Sequence, residues 1–219
     1  MSILRSSSPT ALAAAMAIFA VLAARPTAAQ TLEGQALVSA LREGGYVIVM
    51  RHAHAPRALA NAADAAPGNT AHERQLDAEG QRTAKAMGEA LRRLRIPIGE
   101  ILSSPTFRAR QTVRLLGVGQ AKPMAELGEG KEGMKADNTG KRPAWLRNRA
   151  ATPPAPGSNT LIVTHLPNLV GAFGDAAKGT GDGGALIVRP NGREPVVVGR
   201  IAIDEWPRLA SSSPPQVGD

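Results

Sequence analysis

The chain has 219 residues, 43% of them hydrophobic, and a formal net charge of +8 at pH 7. It contains no cysteine, which excludes disulfides, thiolate nucleophiles and cysteine-based metal or redox sites. Aromatic residues make up only 3% and the basic residues are spread along the chain. This argues against a nucleic-acid surface, where basic clusters interleave with aromatics, and for a small anionic ligand.

The first 29 residues read as a cleaved export signal. Arg5 lies in the polar start, Ala11 to Ala24 is apolar, and Thr27-Ala28-Ala29 offers small residues before Gln30. The apolar run is about 14 residues, short of the roughly 20 that span a bilayer as a helix. No Arg-Arg pair precedes it, so a twin-arginine signal is not expected. Loss of Arg5 and Arg25 takes the charge from +8 to +6. The expectation is an exported protein, periplasmic or secreted, with a single domain over residues 30–210. A Ser/Pro-rich stretch, 211–219, reads as a disordered tail.

Gly34 to Arg42 predicts a short helix, broken by Gly44-Gly45. Tyr46 to Met50 is an uncharged run of β-formers, the pattern of a strand buried on both faces. Ala53 to Gln75 shows no period and is long for a connection in a compact domain, as lids and specificity loops are. Its His72-Glu73-Arg74 cluster is a candidate for specificity, with a solvated loop the plainer reading. Leu76, Gly80, Ala84, Met87, Leu91 and Leu94 then recur at helical spacing opposite a charged face. This predicts an amphipathic helix capped by Asp77 and ended by Ile96-Pro97.

Glu100 to Ser103 reads as the second strand, followed by Ser104-Pro105 as N-cap and first position of a helix running to Leu116. Met124 to Leu127 is expected as a third strand and Glu129 to Gly140 as a loop. Ala144 to Ala150 predicts one or two helical turns, and Thr152 to Gly157 a stiff connector. Leu161 to Thr164 is the next strand, with Pro167 opening another helix. Ala185 to Val188 and Val196 to Ile203 pair around a turn at Pro190-Asn191-Gly192. Strands alternating with helices predict an α/β fold, with a mostly parallel central sheet between two helical layers.

Two histidines 113 positions apart end β-rich runs: His52 directly after Arg51, and His165 directly after Thr164. In open α/β sheets ligands bind at strand ends. Arginine offers a planar fork of donors that fits phosphate oxygens, and a neutral imidazole is a nucleophile at pH 7. Ser103 to Thr112 adds a strand end and a helix start, whose free N–H groups favour an anion. Arg108 lies about one turn into that helix and can reach back toward its start, whereas Arg110 points elsewhere. Together these residues suit a phosphoryl group. Taken singly they have plainer readings: a surface Arg-His pair, a solvated helix charge, and a hydrogen-bonded structural histidine.

Arg51-His52-Ala53, the block Ser103 to Thr112 and His165, in that order, resemble the histidine phosphatase (phosphoglycerate-mutase-like) superfamily. Leu76-Asp77-Ala78-Glu79-Gly80 is similar to the family's Leu-Thr-x-x-Gly helix start, and the resemblance runs over residues 46–170. It implies a three-layer α/β/α sandwich of the phosphoglycerate-mutase type. It also implies a phosphatase that hydrolyses phosphate monoesters through a phosphohistidine on His52, with Arg51, Arg108 and His165 holding the phosphoryl oxygens. Neither metal nor other cofactor is implied. Leu127-Gly128-Glu129-Gly130-Lys131-Glu132-Gly133 matches the Leu-x-Glu-x-x-x-Gly stretch that carries the acid in many members. That makes Glu129 the candidate general acid, then base, with Glu126 in reserve and a solvated loop glutamate as the plainer reading.

Ala53 replaces the commoner glycine, and His54 stands where mutases often carry a polar or acidic residue. Ala55-Pro56-Arg57 and Leu166 depart from the acid-phosphatase and phytase pattern and disfavour that branch. Arg57 is kept as a candidate substrate contact. The expected partner is a small phosphorylated substrate, not nucleic acid or membrane; envelope sugars, as for some small exported members, are one possible class. A metal hydrolase built on His52-x-His54 is a rival reading. It would need a barrel of about 250 residues. Two further rivals share the fold: a non-catalytic phosphate-binding module, which Glu129 argues against, and a phosphomutase, which needs a bisphosphate supply.

Overall fold

The structure, a computed structural model, describes residues 31–129 and 140–212. Residues 1–30, which include the stretch read as an export signal, all but the ends of the Glu129–Gly140 loop, and the last seven residues, 213–219, lie outside the described residues. Six strands form one sheet: β1 (Val47–Arg51), β2 (Ile98–Ser103), β3 (Lys122–Pro123), β4 (Asn159–Thr164), β5 (Ala185–Arg189) and β6 (Val196–Ile201). The helices are α1 (Gly34–Glu43), α2 (Ala78–Arg93), α3 (Phe107–Leu116), α4 (Lys141–Ala150), α5 (Leu166–Phe173) and α6 (Glu205–Ser212). Strand order is β3-β2-β4-β1-β5-β6. The first four of these are parallel and the last two antiparallel to their neighbours. Among the described residues no helix is long and apolar enough to cross a membrane.

The period of two in the strands divides the apolar residues between two cores. Ile48 and Met50 of β1, with Leu161 and Val163 of β4, pack under α1, α2, α3 and α6. Val47, Val49 and Ile162 face the other way, onto α4 and α5. β1 and β4 are thus covered on both sides, which is why they read as continuous apolar runs. The chain after β1 and β2 goes to one face and the chain after β4 to the other. The edge where such connections part is where open α/β sheets bind ligands.

Local chemistry sets the element ends. The Asp77 carboxylate accepts from the Gly80 N–H and caps α2. Gly80 has no side chain because a Cβ there would lie 2.1 Å from the His54 carbonyl oxygen. The first turn of α2 therefore rests directly on the loop that leaves His52.

The expected third strand is displaced. Only Lys122–Pro123 pairs with β2, and Ala125–Leu127 forms a 3₁₀ turn instead. α3 begins at Phe107 with Thr106 as its cap, two residues later than expected from Ser104-Pro105. The Ser104 hydroxyl has another partner, described below. α4 is a full ten-residue helix. α6, for which no expectation was drawn, continues through Ser212, two residues into the stretch read as tail. It buries Trp206 completely against the first core.

Candidate active site

The sheet register assembles the site. Arg51 of β1 stands opposite Thr164 of β4, and Ser103 of β2 opposite Val163. The residues that follow leave the sheet side by side. The His52 N–H donates to the Thr164 carbonyl at 3.0 Å and the Ser104 N–H to the Val163 carbonyl at 2.9 Å. His52, His165 and Arg108 converge there, only 3%, 1% and 5% exposed, so their polar atoms must be satisfied by one another, by neighbouring protein groups or by a ligand.

His52 and His165 lie edge to face, ring centroids 5.3 Å apart. Arg108 spans them: its Nε–H donates to His52 Nε2 at 3.2 Å, and an Nη2 nitrogen lies 3.3 Å from His165 Nδ1. The same nitrogen pairs with the Glu129 carboxylate. His52 Nδ1 is 2.8 Å from the Ala53 carbonyl oxygen. A carbonyl only accepts, so Nδ1 carries the proton and the Nε2 lone pair faces Arg108.

Burial, then the Arg108, Arg51 and Arg74 charges, lower the His52 pKa to about 3, against an opposing bond from Ala53. Burial followed by Arg108 lowers His165 to about 2. Both rings are neutral near pH 7, and each keeps a lone pair. The unfolded chain, with histidines near 6.5, takes up protons first as pH falls. The folded state is therefore fully favoured above pH 6.5 and loses stability between 6.5 and about 3. The loss is at most about 1.4 kcal/mol per pH unit for each histidine. Urea unfolding at pH 7.5, 6 and 5 is expected to show this decline and His165→Asn to flatten it. A midpoint that did not move across that range would contradict the assignment.

The Ser103–Thr112 block supplies more than Arg108. The Thr112 hydroxyl accepts the Ala53 N–H at 3.1 Å, and the Gln111 side-chain oxygen accepts the Leu76 N–H at 2.8 Å. One helix thus holds both ends of the Ala53–Gln75 loop. Within that loop Glu73 accepts the Phe107 N–H at 2.9 Å, in the first turn of α3. Arg74 donates to the Ala55 and Pro56 carbonyls, both at 2.8 Å, and its charge acts on both histidines. The plainer reading of residues 72–74 as a solvated loop fails for Glu73 and Arg74. Only their charged character was visible in the sequence, because their partners lie on α3 and behind His52.

Glu129 is positioned from across the sheet. The Thr164 hydroxyl donates to the Leu127 carbonyl at 2.9 Å, and the Asn168 amide to the Leu127 and Gly128 carbonyls, both at 3.1 Å. These bonds fix the turn that carries Glu129 to Arg108, and its carboxylate also lies 3.9 Å from His165 Nδ1. Glu126 sits in the 3₁₀ turn, with no ion pair to the cluster among the described residues. Arg51 lies at the rim, 2.6 Å from Asp182 and 3.4 Å from the Thr180 carbonyl. Arg57 is exposed, and no hydrogen bond or ion pair joins it to the cluster among the described residues.

The metal pair His52-x-His54 does not form. The strand ends at Arg51, so the period of two stops there. His52 turns inward, while His54 is exposed on Asp77 at 2.9 Å, a partner that raises its pKa.

Fold and site define an α/β protein with two neutral histidines, a buried guanidinium and a carboxyl group at one sheet edge, chemistry suited to a tetrahedral oxyanion. The sequence profile of the histidine phosphatase superfamily (branch 1) matches residues 47–165, and the chain belongs to that superfamily. An uncharacterized protein of Picosynechococcus sp. is 31% identical over 108 residues, 49% of this chain and 62% of that protein. The protein histidine phosphatase SixA complexed with tungstate superposes with a TM-score of 0.52 at 20% identity, covering 73% of this chain and 98% of that one. Phosphoglycerate mutase from Bacillus anthracis gives 0.51 at 13%, covering 78% and 99%. Both likenesses are of fold.

Proposed function

We propose that the protein is a metal-independent phosphatase that hydrolyses phosphate monoesters through a phosphohistidine on His52. The observation that carries this is the His52 geometry: a neutral ring, Nδ1–H tied to a carbonyl, and an unprotonated Nε2 whose lone pair accepts from Arg108. A phosphoryl group entering between the rings exchanges its oxygens for the contacts that Arg108 makes in the free protein. Arg108 and His165, with Arg51 and Arg74 nearby, offset the charge that builds on those oxygens.

His52 Nε2 then attacks phosphorus. The N–P bond forms, the bond to the ester oxygen breaks, and Glu129 donates a proton to the leaving oxygen. In the second half water attacks phosphorus, the N–P bond breaks, and Glu129 takes the proton from water. Turnover by water needs no bisphosphate donor, which favours a phosphatase over a mutase. The Glu129–Arg108 pair favours catalysis over a phosphate-binding module.

The apolar run Ala11 to Ala24 and the small residues after it support export, with a small phosphorylated substrate met outside the cytoplasm. This is a small exported phosphatase in our reading, and Arg57 lies on the exposed loop where a substrate's outer part would pass.

A panel of phosphate esters at pH 5 to 8 tests the activity, with chelator present throughout. Glu129→Gln tests the acid. Hydrolysis of alkyl phosphates is expected to fall on the order of 10²–10⁴-fold. p-Nitrophenyl phosphate, whose leaving group needs no proton, should lose far less in the phosphorylation step. Equal losses on both in kcat/KM, which reports the phosphorylation step alone, would exclude Glu129 as the proton donor.

A further inference from the structure

Ser104 was expected to cap a helix and instead faces the site. It is fully buried, and its hydroxyl oxygen lies 2.8 Å from His165 Nε2. That oxygen accepts the Thr106 N–H at 3.2 Å, and the hydroxyl can donate to Thr106 Oγ1 at 3.1 Å. His165 Nε2 thus has the Ser104 hydroxyl close by and the Thr106 hydroxyl at 3.5 Å, and Nδ1 has the Arg108 guanidinium at 3.3 Å.

The His165 ring is neutral, so one of its nitrogens carries the proton and the other does not. In the free protein Arg108 decides which. A guanidinium only donates, so Nδ1 accepts, and Nε2–H donates to Ser104, whose own proton goes to Thr106 Oγ1. A phosphoryl oxygen beside Nδ1 reverses the demand, because that oxygen only accepts while it is ionised. A lone pair facing it would be repelled. The ring can meet both situations without gaining charge only if its Nε2 partner can accept in one and donate in the other. A hydroxyl does both. A backbone carbonyl, such as the one that holds His52 Nδ1, does not.

We propose that Ser104, with Thr106 as its alternate acceptor, lets His165 exchange tautomers: Nε2–H in the free protein, Nδ1–H when a phosphoryl group fills the pocket. The proposal rests on the phosphoryl-site reading above. The proton balance is closed. Nε2 gives its proton to solvent, Nδ1 takes one from solvent or from the entering phosphate, and the Ser104 hydroxyl turns from Thr106 to Nε2. Ser104 is a positioning residue, acting through His165 on the phosphoryl oxygens.

The test is ring ¹⁵N NMR of histidine-labelled protein with and without inorganic phosphate. The chain has four histidines, and His165→Asn assigns the one that matters. The protonated and bare ring nitrogens are well separated in shift. The expected result is Nε2–H without phosphate and Nδ1–H with it. Thr106→Val, which removes the alternate acceptor, should move the free protein toward Nδ1–H. Ser104→Ala should weaken phosphate binding on the order of 10-fold, since the bound tautomer then leaves Nε2 only the more distant Thr106 hydroxyl as a donor. Ser104→Cys, a weak donor of similar size, should recover part of it. The same tautomer in both states, or a doubly protonated ring with phosphate, overturns the exchange. Phosphate that shifts His52 but not the His165 tautomer overturns this proposal alone. Phosphate that shifts neither ring overturns the phosphoryl site itself.

Discussion

Replacing His52 with alanine is expected to lower kcat/KM for every phosphate ester by roughly 10⁴-fold or more, as loss of a nucleophile does where no neighbour can take its place. No neighbour in the described structure can. His165 Nδ1 stands where our reading places a phosphoryl oxygen rather than the phosphorus, and its Nε2 is held by Ser104. His54 points away, onto Asp77. His52 is buried, so alanine leaves a small cavity, and the folded state has to be checked by thermal unfolding. His52→Asn fills most of that space and is expected to be equally inactive. The wild type should also yield an acid-labile, base-stable phosphoryl adduct on rapid quench with a labelled ester, and both variants should yield none. Activity that survived either replacement would end the phosphohistidine mechanism while leaving the family membership intact.

Arg108→Met is expected to cost on the order of 10³–10⁴-fold in kcat/KM. The methionine fills much of the buried volume without a charge. What disappears is a group that contacts His52, His165 and Glu129 together. Inorganic phosphate should bind far more weakly. Both histidines should also titrate at higher pH than in the wild type, because the Arg108 charge opposes protonation of each ring. Burial ranks above it for both rings, so the rise is partial. Arg108→Lys separates charge from shape. A lysine restores one cation but not donors aimed at two rings at once, so it should recover little of the rate. A lysine variant near wild-type activity would show that charge alone matters, and the bridging geometry would lose its role.

The helices and strands were legible wherever their signals were local. The period of α2 and its Asp77 cap, the two-sided burial of β1 and β4, and the closing β5–β6 pair all follow from neighbours a few residues apart. The β3 region was misread because Met124 to Leu127 is short and apolar, and a 3₁₀ turn and a strand look alike at that length. The start of α3 was misread because Ser-Pro is a good helix opening. The serine's competing partner, His165, is 61 positions away in the chain.

By itself the sequence determined the class of fold, the ends at which His52 and His165 stand, and the reach of Arg108 from one turn inside a helix. Each depends on spacing along one strand or one helix, which covalent geometry makes regular. Only the tertiary structure decided that these groups meet. The register of β1, β4 and β2 sets Arg51, Thr164 and Ser103 at one edge. The turn before Glu129 is held by Thr164 and Asn168 from another strand and helix, and Arg74 is held within electrostatic reach of His52 by the carbonyls of Ala55 and Pro56. Such contacts depend on strand order and on hydrogen bonds between distant segments. No local period encodes them, and through them two ordinary histidines become neutral, buried and aimed at one pocket.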